Sequence, residues 1–171
     1  MKRKRSSNAV KRLTRTAIIA AMYVALTFIS SLAGLASGVI QLRLSEMLTV
    51  MPIFFPESVF GLYLGCLLSN ILTGCAPWDI VFGSLATLLG AVGAYLLRKL
   101  PEKLIWVATL PTTLSNALIV PAVLIYAYGV PDGYFFLMAT VGIGELLSAT
   151  VLGTALYFLI KKSRVAEFIG G

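Results

Sequence analysis

Six residues in an otherwise apolar chain have the types and the spacing to do chemistry. Arg43 and Glu46 stand three apart in the run QLRLSEMLTVMPIFFPE, and Trp78, Asp79, Asn116 and Glu145 answer them from further along. Ionisable groups at membrane depth are costly unless paired or solvated, so they mark a candidate binding site by default. Three carboxylates against one guanidinium describe a ligand with more donors than acceptors, cationic in character. Asn116 offers both a donor and an acceptor, and an aromatic plane beside a carboxylate suits a flat, nitrogen-rich ring. Each residue also has an ordinary structural alternative. Arg43 and Glu46 on one helix face make a local ion pair, and Asp79 stands where a helix N-cap belongs. Trp78 fits an interfacial belt, and Glu145 fits a protonated carboxyl hydrogen-bonded to a neighbouring helix. Glu57 falls at a proline-marked break and drops out of the site, and Asp132 in YGVPDGY reads as a solvated turn residue.

Much chemistry is excluded. The chain has no histidine, which removes Ser-His and Cys-His nucleophile pairs and the usual zinc hydrolase motifs. It has no GxxxxGK[ST] loop, so it does not hydrolyse ATP by that route. Cys66 and Cys75 do not make a disulfide framework, and Cys66 reads as a small packed residue. No internal inverted symmetry is visible, which weakens a self-sufficient secondary transporter.

The elements that must position these residues are membrane helices. The 171 residues are 58% hydrophobic and 12% charged, with mean hydropathy +0.92, where a soluble domain carries about 25% charged residues. Pro52 and Pro56 remove backbone donors and break the apolar run 42–72 into two short helices, with Ser58 or Glu57 available to cap the second. The pattern predicts six spans, at about 12–35, 43–54, 58–73, 79–98, 104–128 and 134–160. This arrangement brings thirteen of the fourteen basic residues to one side of the membrane, as the positive-inside rule requires for a chain with both termini in the cytoplasm. One long helix in place of spans two and three would push the Arg98–Lys103 loop outside. Only Arg43 remains on the outer side. The expected organisation is a basic cytoplasmic tail at 1–11, a compact six-helix membrane domain at 12–162 and a cytoplasmic tail at 163–171. The basic tail lacks interleaved aromatic residues, so it is read as an anchor of orientation and not as a nucleic-acid arm.

Two spans carry further signals. Ala17, Ala21 and Ala25 stand four apart in the first helix, a smooth stripe that serves either internal packing or the docking of another helix. The fifth span holds Pro111, Thr112, Thr113, Ser115, Asn116 and Pro121, whose hydroxyls can satisfy backbone groups that the prolines free. Glu145 lies roughly 16 Å into the last span at 1.5 Å per residue, among the small residues Gly142, Gly144, Ser148, Ala149 and Gly153.

The runs QLRLSEMLTVMPIFFPESVFGLYLGCLLSNILTG, APWDIVFGSLATLLGA and GIGELLSATVLGT resemble the QueT family, over nearly all of the chain after the basic tail. These are substrate-binding (S) components of energy-coupling factor transporters, linked to uptake of queuosine precursors. The resemblance implies a multi-pass S component in a prokaryotic cell membrane that captures a 7-deazaguanine such as queuine, preQ1 or preQ0 from outside. Its implied partners are a transmembrane coupling subunit and two cytoplasmic ATPases, which would hold the ATP and magnesium, so that this chain is no enzyme and carries no cofactor. The alanine stripe at Ala17, Ala21 and Ala25 matches the spacing by which such components dock the coupling subunit. A 7-deazaguanine offers N1–H and an exocyclic amine along one edge, which Glu145, Asp79 or Glu46 can accept; Arg43 and Asn116 can serve its keto oxygen, and Trp78 can stack on the ring. An autonomous proton-coupled carrier with Glu145 as the proton site and a structural subunit without a ligand remain as the other readings.

Overall fold

A computed structural model describes residues 2–35 and 40–163, with side chains from residue 8 onward. Residues 36–39 of the expected loop 36–42, residues 164–171 of the expected C-terminal tail, and the side chains of Lys2, Arg3, Lys4 and Arg5 lie outside the described residues. The described residues are all-helical, without strands.

Helix α1 runs Lys2–Leu32, α2 Ser58–Leu72, α3 Pro77–Leu96 and α4 Leu110–Tyr128, followed by α5 Tyr134–Glu145 and α6 Gly153–Lys162. Three non-α helical segments occur among the described residues. A 3-10 helix over Leu44–Ile53 lies between α1 and α2, a second over Glu102–Thr109 leads into α4, and a π segment over Leu146–Leu152 joins α5 to α6. Among the described residues, four stretches are long and apolar enough to cross a membrane: Asn8–Leu32, Pro77–Leu96, Glu102–Tyr128 and Tyr134–Lys162. The two remaining elements are short, as Pro52 and Pro56 require. At about 2.0 Å per residue the 3-10 helix extends roughly 20 Å, and α2 extends about 22 Å. The first helix begins at Lys2, ten residues before the expected start, so the basic segment continues α1 as helix.

The surface is the inverse of a soluble protein's. Leu32 and Tyr126 are each 87% exposed and Phe135 is 78%, while Ser30, Ser45, Thr49, Ser69, Ser84, Thr109 and Thr112 are fully buried. Large apolar side chains turned outward around a polar interior suit hydrocarbon and not water, and the chain is a multi-pass membrane protein.

The 3-10 helix is the axis of the bundle. It packs against α1, α2, α3, α6 and both other non-α segments. One side lies in an apolar cluster with Ile19, Tyr23, Leu62 and Cys66, and the other meets Ile105, Ala108 and Tyr157. The turn after it, at the end of the bundle nearest Arg12 and Arg15, is closed by an ion pair from Arg15 Nη1 to Glu57 Oε1 at 2.9 Å, with Arg12 Nε 3.7 Å from the other carboxylate oxygen. Glu57 is therefore structural, as the proline break implies. Neither it nor Ser58 caps α2 through its side chain: the Ser58 hydroxyl instead donates to the Phe55 carbonyl at 2.6 Å.

Close helix contact depends on small residues. A Cβ added at Gly65 of α2 would lie 2.7 Å from Tyr23 Cβ on α1, and one at Gly61 would lie 2.8 Å from the Thr16 carbonyl oxygen. This is the small-xxx-small geometry by which membrane helices approach. Gly65→Val is expected to destabilise the detergent-solubilised protein by about 1–3 kcal/mol through overpacking, read as a lowered midpoint in thermal unfolding, whereas Gly74→Ala, which meets no atom within 4 Å but has φ +73°, tests backbone strain alone.

Candidate functional site

The site begins with one face of α1. Tyr23, Thr27 and Ser30 recur at helical spacing and all three are buried, so they form a polar stripe directed at the bundle axis. The Ser30 hydroxyl accepts the Leu44 amide at 2.8 Å, satisfying a donor at the start of the 3-10 helix. The Thr27 hydroxyl lies 2.9 Å from the Ser45 hydroxyl and 2.9 Å from the Tyr23 carbonyl. These contacts fix the stretch that carries Arg43 and Glu46.

Glu46 is 1% exposed. Its Oε1 accepts from the Tyr23 hydroxyl and, at 3.3 Å, from the Thr87 hydroxyl, which also lies 3.4 Å from the Cys66 sulfur. A carboxylate so enclosed is tolerable only with such donors. The local ion pair with Arg43 is not formed. Arg43 has extended backbone, φ −103° and ψ 101°, and precedes the helix, so the same-face geometry of residues three apart does not apply to it. Its guanidinium is half-buried, faces both Asp79 and Glu46, and makes no hydrogen bond or ion pair among the described residues.

Asp79 is 5% exposed in the first turn of α3. It is not the cap: Ala76 occupies that position. The Tyr128 hydroxyl, from the end of α4, donates to Asp79 Oδ2 at 3.0 Å and accepts the Ala76 amide at 3.0 Å, so one phenol joins the ends of two helices. Glu145 closes α5 immediately before the π segment. It reaches the cluster because Gly144 abuts the backbone of Gln41, where any Cβ would overlap the carbonyl oxygen. Glu145 faces Glu46, Arg43 and Asn116.

Five of the six residues read from the sequence thus meet. Arg43 and Asp79 line a cavity of about 380 Å³ with Thr27, Ser30, Gln41, Asn70 and Tyr128, a volume in the usual range for small-molecule sites. Glu46, Asn116 and Glu145 do not line it themselves and are joined to it through Arg43, which interacts with both Glu46 and Glu145. Among the described residues, Glu46 Oε2, Asp79 Oδ1, Asn116 Nδ2 and Glu145 Oε2 are buried without a hydrogen bond of ordinary geometry, the Asn116 amide and the Glu145 carboxyl interacting with each other. Buried polar groups are nearly always satisfied, and exceptions call for an explanation.

Trp78 lies elsewhere. It is 62% exposed, stacks on Phe82 with centroids 5.8 Å apart, and lines a separate apolar groove with Leu118 and Tyr126. Neighbours on a helix point about 100° apart, so Asp79 turned inward sends Trp78 outward. Sequence reasoning missed Tyr23, Thr87, Asn70 and Tyr128. For Tyr23 the signal was present, in the polar spacing Tyr23, Thr27, Ser30 opposite the alanines. Ala17, Ala21 and Ala25 are all exposed on the outside of α1.

Tyr23→Phe is expected to cost about 1–3 kcal/mol by leaving a buried carboxylate short of a donor. In a Glu46→Gln background the same change should cost less, and a double-mutant cycle on thermal or chemical unfolding reads the coupling.

Residues 13–162 match the sequence pattern of the QueT family, described as QueT transporter. Among curated proteins, the Queuosine precursor transporter QueT of Lactococcus lactis subsp. cremoris (strain MG1363) is 36% identical over 92 residues, 53% of this chain and 53% of that protein. The alignment therefore spans about half the length of the curated relative. No solved structure matches the chain.

Proposed function

The chain belongs to the QueT transporter family, and from that premise we propose that it is the substrate-capturing S component of an energy-coupling factor importer, taking up a queuosine precursor of the 7-deazaguanine class. The observation that carries this reading is that, among the described residues, Glu46, Asp79, Asn116 and Glu145 bury polar atoms without a hydrogen bond of ordinary geometry, near an Arg43 guanidinium that makes no ion pair there. A planar base with an amidine-like N–H edge and a keto oxygen offers the complementary set: donors for carboxylates, an acceptor for Arg43 or for the Asn116 amide. The curated relative's name, a queuosine precursor transporter, agrees with this chemistry. Stacking by Trp78 is not part of the proposal, because its indole faces away from the cavity.

The orientation follows from charge. Lys11, Arg12, Arg15, Arg98, Lys99, Lys103, Lys161 and Lys162 belong to the end of the bundle opposite the cavity, and the positive-inside rule makes that end cytoplasmic. With six crossings, two of them short, both termini are then inside and the cavity faces out, in a prokaryotic cell membrane. The driving force comes from partner ATPases through a coupling subunit. The exposed alanines of α1 are the proposed docking stripe, since an unbranched small-residue surface lets a partner helix approach closely.

Two experiments test this. Calorimetric titration of the purified chain with queuine, preQ1 and preQ0 should show saturable binding. Glu46→Gln, Asp79→Asn and Glu145→Gln should each weaken it about tenfold or more, as expected for loss of a charge-assisted hydrogen bond; three variants binding like the parent would sink the site. Separately, Ala17→Trp with Ala21→Trp should leave binding intact and abolish uptake by cells supplying the partner subunits, and uptake at the parental rate would remove the docking assignment.

A further inference from the structure

A second cavity of about 390 Å³ lies against the first, and Gln41, Leu124 and Val130 line both. These three residues form the partition between the two spaces: Gln41 comes from the segment before Arg43, Leu124 from α4, and Val130 from the loop that follows it. No hydrogen bond of the Gln41 carboxamide to a described residue holds it in place. The far wall of the second cavity carries Asp132, the sole charged group among its described lining residues, together with Phe136 and Thr140. Asp132 is exposed and makes no ion pair among the described residues.

We propose that the two cavities are lobes of one ligand site, the first holding a flat base and the second an alkylammonium arm attached to it, with Asp132 as the counter-ion. This rests on the reading of the chain as a 7-deazaguanine-capturing component and narrows it to a substrate class: bases that carry a cationic, hydroxylated substituent, in preference to bare or nitrile-bearing ones. The chemistry of the second lobe matches such an arm. A carboxylate accepts the ammonium N–H groups, the Gln41 amide serves hydroxyls in either direction, and Phe136 offers apolar surface to a carbocycle. The ordinary account of Asp132 is that a carboxylate just before α5 interacts favourably with the helix N-terminus. That account predicts an effect on stability and none on the choice between ligands.

The test compares two probes on the purified chain. Queuine bears a secondary ammonium and a cyclopentenediol, and preQ0 bears an uncharged nitrile. Asp132→Asn should weaken queuine about tenfold and leave preQ0 within about twofold, and Asp132→Glu should restore most of the queuine affinity. Val130→Trp, which fills the partition, should likewise weaken queuine selectively. In every variant preQ0 binding reports that the protein is folded. Equal effects on both probes, or none on either, would overturn the two-lobed site while leaving the capture function intact. A parent protein that binds neither probe would overturn the capture function itself, and this inference with it.

Discussion

The structure depends on how a carboxylate is kept at the axis of an apolar bundle. Glu46 sits on the central 3-10 helix with 1% of its surface exposed, where an isolated charge would be costly by several kcal/mol. The Tyr23 and Thr87 hydroxyls converge on one of its oxygens. Delivering those donors requires α1 to present a polar stripe inward, and α3 to present Thr87. It also requires α1 and α2 to approach through Gly61 and Gly65. The apolar clusters on both sides of the axis then seal the group from lipid. The other oxygen is buried without a hydrogen-bond partner among the described residues, so one residue belongs both to the packing of the bundle and to the polar group proposed as the site.

Much of this was legible in the sequence because membrane segments obey strict rules. Length, apolarity and two prolines gave the bounds of the two short elements and of α3 within about two residues, while the start of α1 was misplaced by ten, because a basic segment can continue a helix beyond its apolar part. Five of the six candidate residues come together in the structure because polar side chains in hydrocarbon are rare enough to stand out individually. The misreadings came where the period of the backbone was assumed. Arg43 precedes its helix in extended conformation, so its separation from Glu46 carries no same-face meaning. Trp78 was grouped with Asp79 by adjacency, although adjacency on a helix means divergence. Tyr23, Thr87, Asn70 and Tyr128 escaped because hydroxyl and amide groups are common in membrane helices, and only tertiary contact distinguishes those that serve a buried carboxylate.

Helix α1 presents two unlike faces. Its inward stripe holds the cavity and the 3-10 axis. Its outward stripe of Ala17, Ala21 and Ala25 presents almost no side chain. At the end opposite the cavity, Arg12 and Arg15 tie the same helix to Glu57, so α1, the central turn and the start of α2 are bound together. A partner resting on the alanine face would therefore touch an element continuous with the site wall.

The two short elements have a mechanical consequence for the surrounding lipid. The α2 helix presents Phe60, Leu68, Ile71 and Leu72 to the outside, yet its apolar length of about 22 Å falls short of a hydrocarbon core about 30 Å thick. The long α3, α4 and α5–α6 stretches have no such deficit. Hydrophobic mismatch is thus concentrated on one flank of the molecule, next to the alanine face of α1. A bilayer thinned there stores fractions of a kcal/mol for each ångström of shortfall, and any protein surface covering that flank releases the deformation.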